Sequence, residues 1–188
     1  MPFLLKEGMY RKDNSLIKNR IITFFNLLDT LGNKINKIIK LILFLLSIPL
    51  VAIILYSVFM RYVLNMAPTW SEELARYLMI WIGFLALPVA LKEGKHIGLT
   101  FALEKIPANY KSYLYLIADF FILFFSIFIF TQGVAMTKFV VFQRSPSMFI
   151  PMWIPYLSLP IGSFLMSLFM IIKILKQFGS IIFKISEG

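Results

Sequence analysis

Four long apolar runs, separated by polar and charged residues, decide what this chain can become. They extend from Ile38 to Phe59, from Glu72 to Leu91 (apolar throughout after Arg76), from about Tyr113 to Met136, and from Trp153 to Leu175. A helix crossing ~30 Å of hydrocarbon needs roughly 20 mostly apolar residues, because lipid offers no partner for an unpaired backbone N–H or C=O. Each run meets that length. Pro49, Pro88 and Pro160 fall inside the runs and are read as kinks, which spanning helices tolerate where neighbours satisfy the freed carbonyl. The expected fold is an all-α integral membrane protein with four transmembrane helices, at about 38–60, 71–91, 112–136 and 152–175. Composition agrees, with 60% of the 188 residues hydrophobic and only 15% charged. A soluble domain of this size carries more charge. The first apolar run begins too deep in the chain for a cleavable signal peptide.

Charge orients the spans. Residues 1–40 carry eight lysines and arginines, and the loop between the second and third spans carries Lys92, Lys95, Lys105 and Lys111. The C-terminal tail adds Lys173, Lys176 and Lys184, which makes fifteen on one side; Arg61, Arg76, Lys138 and Arg144 are the four on the other. Positively charged loops stay in the cytoplasm, so both termini are expected there. The net charge of +10 is spread between apolar runs without a nucleic-acid motif, which fits an anionic leaflet rather than nucleic acid. With no cysteine, thiolate chemistry and cysteine metal sites are excluded.

Residues 1–36 read as a basic cytoplasmic segment, and 37–188 as the four-helix membrane domain. From Ser15 to Leu31, Ile17, Ile21, Phe24, Leu28 and Leu31 share one helical stripe, with Lys18, Arg20, Asn26 and Asp29 largely away from it. That pattern predicts an amphipathic helix in the headgroup plane, separated from the first span by Gly32-Asn33. The stretch Ile97–Ile106, closed by Pro107, is a second surface-helix candidate.

Polar residues gather where the first span ends and the second begins. Thr69 with Glu72 fits a capping box, and Pro68 sets the turn before it. Glu72 and Arg76 are i,i+4, and Glu73 and Arg76 are i,i+3, so either acid is expected to pair with the arginine. Below them Met79, Gly83, Ala86 and Ala90 continue one face whose small residues allow close helix approach in lipid. Ser158, Gly162, Ser163 and Ser167 give the fourth span similar character. Asp119 is the acid well inside an apolar run. Intramembrane acids are functional candidates by default, but no other polar ligand lies near it in sequence. Helix packing or pairing with a lysine is therefore favoured over an ion site. His96, the sole histidine, has no metal-ligand partner at motif spacing and reads as a loop contact. No cofactor or metal is implied.

The string Arg61-Tyr62-Val63-Leu64-Asn65, then Trp70-Ser71-Glu72-Glu73-Leu74-Ala75-Arg76-Tyr77, Trp81, Gly83 and Gly94-Lys95-His96-Ile97, resembles the small membrane subunit of tripartite ATP-independent periplasmic (TRAP) transporters, the DctQ type. Pro151, Trp153, Tyr156 and Pro160-Ile161-Gly162 resemble that family's last span. The likeness covers about residues 60–165; Thr100 departs from it, standing where many members carry an acid. The resemblance implies a bacterial inner-membrane subunit that forms a heterodimer with a much larger membrane subunit holding the substrate and sodium sites. It also implies a soluble periplasmic binding protein that delivers an organic acid, of dicarboxylate or sialic acid type. The small subunit is then part of the static scaffold, in contact with membrane lipids. Arg61, Trp70, Ser71, Glu72, Glu73, Arg76, Gly83, Ala86, His96 and Gly162 are the expected structural or partner-interface residues.

Other classes fit the residues less well. A membrane enzyme needs a nucleophile, base or metal constellation that is not visible. A four-span multidrug exporter needs a carboxylate in its first span, and a cytochrome needs more histidines. A small stand-alone secondary transporter using Asp119 is the alternative reading.

Overall fold

A computed structural model describes residues 2–66, 68–93 and 108–186 of the chain. Their regular elements are all helices: α1 (Pro2–Val63), α2 (Thr69–Lys92), α3 (Ala108–Phe139), the single-turn α4 (Trp153–Tyr156) and α5 (Ser158–Ser186). Among the described residues, four segments are long and apolar enough to cross a membrane: Asn26–Val63, Thr69–Lys92, Leu114–Phe139 and Trp153–Gln177. The all-α, four-span architecture is the one the apolar runs predict. His96 and the candidate surface helix at 97–106 lie outside the described residues.

The chain forms two compact units, Met1–Ile35 and Asn36–Gly188. The first is helical, with the Thr30 hydroxyl donating to the Asn26 carbonyl at 2.8 Å. Gly32 and Asn33, expected to break the helix, are helical. Glycine inside a helix costs about 1 kcal/mol relative to alanine, so it permits a break without imposing one.

In the second unit α5 is the central helix, packed closely along both α3 and α2. Small residues make those approaches possible. A Cβ added at Gly162 would lie 2.5 Å from the Phe84 carbonyl oxygen of α2, and one at Gly133 of α3 would lie 3.0 Å from the Pro160 nitrogen. Ser158 and Ser163 are buried beside them, and both return their hydroxyls to carbonyls of their own segment. Ser126 and Ser167 share a 2.8 Å hydrogen bond between α3 and α5. Such bonds average ~0.6 kcal/mol within membranes, so close packing contributes more than any one of them. Gly162 and the serines of the last span therefore serve contacts inside this chain.

Pro49, Pro88 and Pro160 behave differently. Pro49 and Pro88 sit inside α1 and α2. Pro160, expected as a kink, lies in the first turn of α5, where its missing N–H would have had no helical partner. The last span is instead interrupted at Leu157, between α4 and α5. Backbone bonds from Leu157 to Trp153 (2.9 Å) and from Ile161 to Leu157 (3.2 Å) carry the chain across that step.

From residue 36 onward α1 is held mainly through side chains. Arg61 pairs with Glu72 at one end, Lys40 pairs with Glu93 at the other, and the rings of Tyr56 and Trp70 lie 5.7 Å apart. Between these ties Leu41, Phe44, Leu45, Ile48, Val51, Leu55 and Phe59 stay exposed. A helix whose apolar side stands exposed along most of its length is suited to lipid.

Gly162→Ala should lower the thermal stability of the purified chain in mild detergent by about 1–3 kcal/mol, the usual cost of overpacking. Gly83→Ala has open space around it and should be neutral or stabilising by up to ~1 kcal/mol. Equal melting shifts for the two variants would contradict the packing described.

Candidate functional site

The polar cluster forms at one end of the second unit, the loop end, where the α1–α2 turn and the segment 140–152 meet. Asn65 closes the α1–α2 turn with φ of 54°, a left-handed conformation that asparagine tolerates better than most residues. The helix begins at Thr69, with Pro68 as its N-cap and no side-chain cap bond. The expected capping box is therefore absent. Ser71, fully buried, donates both its N–H (3.2 Å) and its hydroxyl (2.7 Å) to the Pro68 carbonyl, while Glu72 turns outward to Arg61. A charged partner across the turn outcompetes the glutamate's own backbone, since charge-assisted bonds are about twice as strong as neutral ones.

Glu73 turns the other way, into the protein. One carboxylate oxygen accepts the backbone N–H groups of Ser147 (3.0 Å) and Met148 (3.2 Å), and the other accepts the Tyr77 hydroxyl. The same Tyr77 oxygen lies 3.2 Å from Met152 Sδ. A negative charge thus sits where a tight turn aims two amides at one point, the geometry of a backbone anion nest. The turn is closed by bonds from Ser145 N to the Ile150 carbonyl (2.9 Å) and from Met152 N to the Gln143 carbonyl (2.9 Å). Phe149 within it has φ of 55°. An aromatic residue in the left-handed region costs of order 1–3 kcal/mol and persists only where its surroundings over-determine it. The Glu73 bonds to the two preceding residues are part of that determination.

Neither acid pairs with Arg76, contrary to the spacing-based expectation. Helical spacing states which side chains can reach one another; it does not weigh them against partners from other elements. Arg61 claims Glu72 and the 140–152 segment claims Glu73. Arg76 is exposed and makes no hydrogen bond or ion pair among the described residues. It stands on a cleft of about 620 Å³, lined also by Thr69, Ile80, Phe84, Tyr156 and Leu159.

The face below Arg76 is open. Met79, Gly83 and Ala90 are exposed, Ala86 is half-buried, and Leu87 takes the exposed position beside it. Among the described residues, nothing lies within 4 Å of a Cβ placed on Gly83. Of the glycines in α2, α3 and α5 with described surroundings, Gly133 and Gly162 each admit a neighbouring helix of this chain and Gly83 does not.

At the opposite end Asp119 of α3 is fully buried and accepts bonds from Lys173 Nζ (2.7 Å) and Gln177 Nε2 (3.0 Å) of α5. Lys92 Nζ lies 5.7 Å from the centroid of the Phe169 ring. Asp119 is thus part of a lysine-bonded joint between two helices. Among the described residues, no group of three or more His, Cys, Asp or Glu side chains converges as a metal site.

Sequence reasoning missed several partners. Ser147 and Met148 act through their backbone amides, which no residue type advertises, though Ser145-Pro146-Ser147 is a visible turn signal. Gln177 could have been found: with Lys173 it lies i,i+4 on one face of the last span.

This geometry can be set beside known proteins. The family model for the tripartite ATP-independent periplasmic transporters, DctQ component, matches residues 50–179. The chain belongs to that family of membrane transport proteins. Among its relatives, the isethionate TRAP transporter permease protein DctMQ of Oleidesulfovibrio alaskensis is 33% identical over 103 residues, covering 54% of this chain and 16% of that protein. The sialic acid TRAP transporter small permease protein SiaQ of Vibrio cholerae is 34% identical over 80 residues, covering 43% of this chain and 46% of the relative. The C4-dicarboxylate TRAP transporter small permease protein DctQ of Rhodobacter capsulatus is 26% identical over 99 residues, covering 52% and 44%. The chain spans less than half the length of each of these relatives. Their names are those of transporter permease components, and the four apolar helices agree with a multi-pass membrane protein.

The two acids should respond differently to removal. Glu73→Ala leaves the Ser147 amide without its acceptor and Met148 with only the Ser145 hydroxyl at 3.2 Å, so hydrogen exchange should speed up by about tenfold or more at Ser147 and by less at Met148. Glu72→Ala removes an exposed ion pair, should cost about 0–1 kcal/mol, and should leave that exchange unchanged. Amide exchange by mass spectrometry separates the cases, and unchanged protection of 147–148 in Glu73→Ala would contradict the assignment.

Proposed function

We propose that this chain is the small membrane subunit of a TRAP transporter and acts as a static scaffold. It pairs with a larger membrane subunit that carries the substrate and sodium sites, for binding-protein-dependent uptake of an organic acid. The observation that carries this reading is the open face of α2. In lipid, helices gain little by burying apolar side chains from one another, so small residues on a spanning helix are used where backbones approach. Gly83 has no such neighbour among the described residues, and Met79, Leu87 and Ala90 continue its exposed strip. The isethionate relative supports a larger partner, because its matching segment is 16% of one longer permease polypeptide. Isethionate, sialic acid and C4-dicarboxylate in the relatives' names favour organic acids as the substrate class.

We assign both termini to the cytoplasm and the loop end to the periplasmic face of a bacterial inner membrane, from the excess of lysine and arginine on the other side. Residues 1–36 lie as a basic amphipathic segment against the inner leaflet, which attracts such charge. In the scaffold, Arg61 with Glu72 and Glu73 with the 140–152 segment brace the loop end, and Gly83 and Ala86 face the partner. The stand-alone transporter reading is disfavoured by Asp119, whose carboxylate oxygens are both occupied by side chains of α5.

Co-expression with a TRAP large subunit should yield a stable one-to-one complex in mild detergent, and uptake by that pair should require sodium and a periplasmic binding protein. Gly83→Leu should lower recovery of the complex at least tenfold while leaving the melting temperature of the isolated chain unchanged. The double substitution Asp119→Leu with Lys173→Met replaces the buried pair by apolar volume, and should keep uptake where Asp119→Leu alone loses stability. Solute transport by this chain alone, abolished in the double substitution, would overturn the scaffold reading. The absence of cysteine also allows a topology test. Phe142→Cys should react with an impermeant maleimide from outside the cell, and labelling only after permeabilisation would reverse the orientation.

A further inference from the structure

We propose that the cleft under Arg76 is a binding site for a single zwitterionic phospholipid, with the phosphodiester on the guanidinium and an acyl chain running down the groove below. The juxtaposition is specific. The cleft holds about 620 Å³, with Arg76, Thr69, Tyr156 and the carboxylates of Glu72 and Glu73 in its polar lining and Ile80, Phe84 and Leu159 in its apolar lining. Its polar side belongs to the loop end of α2, and its apolar side follows the helix toward the membrane interior. That order matches an amphiphile standing in a leaflet.

Charge selects the headgroup. Both acids that line the cleft are committed, Glu72 to Arg61 and Glu73 to Tyr77 and two backbone amides. Arg76 is left with a planar fork of donors suited to phosphate and no acceptor from the described residues. Arg61, Arg76, Glu72 and Glu73 together are neutral. A zwitterionic headgroup preserves that balance, whereas a headgroup bearing extra negative charge leaves one charge uncompensated beside the Glu72 and Glu73 carboxylates. The volume also argues for lipid over a partner's carboxylate side chain, which could meet Arg76 but would leave most of the cleft unfilled.

The test is native mass spectrometry of the full chain after graded delipidation, with phosphatidylethanolamine, phosphatidylcholine or phosphatidylglycerol added back. The expected result is one retained phosphatidylethanolamine per chain, held at least tenfold more strongly than phosphatidylglycerol. Arg76→Gln should lose that preference and at least tenfold in retention, with Arg76→Lys intermediate. Ile80→Trp, which fills the apolar part while leaving the arginine, should also lose the lipid. Equal retention by wild type and Arg76→Gln would overturn the site, as would stronger retention of phosphatidylglycerol. If Arg76→Gln keeps its lipid but no longer captures the large subunit, the guanidinium serves a protein carboxylate and the proposal is wrong.

Discussion

The order of the loop end depends on one carboxylate. Glu73 reaches from the first turns of α2 to two amides of the 140–152 segment, joining elements more than seventy residues apart in sequence. That segment leads directly into α4 and α5. Holding it against α2 helps set where the last span starts, and hence where Gly162 meets Phe84. A charge placed at a membrane boundary is costly unless its acceptor sites are filled. Here two amides and a phenol fill them, so the same side chain is both anchored and anchoring.

The remaining architecture divides its surfaces by residue size. Where the chain packs on itself, glycine and serine bring backbones together, as at Gly133, Gly162, Ser126 and Ser167. Where it meets lipid, large apolar side chains stand exposed, as along α1 and at Phe120, Phe121, Phe124 and Phe125 of α3. The α2 face through Gly83 has the residue sizes of the first kind and the exposure of the second. That mismatch within one chain is the physical ground for a partner.

Much of this was legible in the sequence, for identifiable reasons. The spans could be read because hydrocarbon imposes a minimum length on any helix that crosses it. The polar cluster at 61–77 stood out because charges near span ends are few. Two local rules failed there. The capping box and the Arg76 ion pairs follow from spacing along one helix, and both lost to partners from other elements, Arg61 and the 140–152 turn. Gly32-Asn33 and Pro160 depart from expectation in opposite senses: the glycine tolerates the helix it was expected to end, and the proline sits where a helix begins. Asp119 lacked a visible partner because Lys173 lies fifty-four residues away, a separation no local pattern reports.

The account's central claim is that the open face of α2 is covered by a larger membrane subunit. Site-specific photo-crosslinking in intact membranes tests it most directly, with the probe placed in turn at Met79, Gly83 and Leu87, and at exposed Phe124 of α3 as the lipid-facing control. The account predicts crosslinks from the three α2 positions to one large membrane protein and none from Phe124. Crosslinks from α2 to lipid alone, with the same large protein captured through α3, would contradict it.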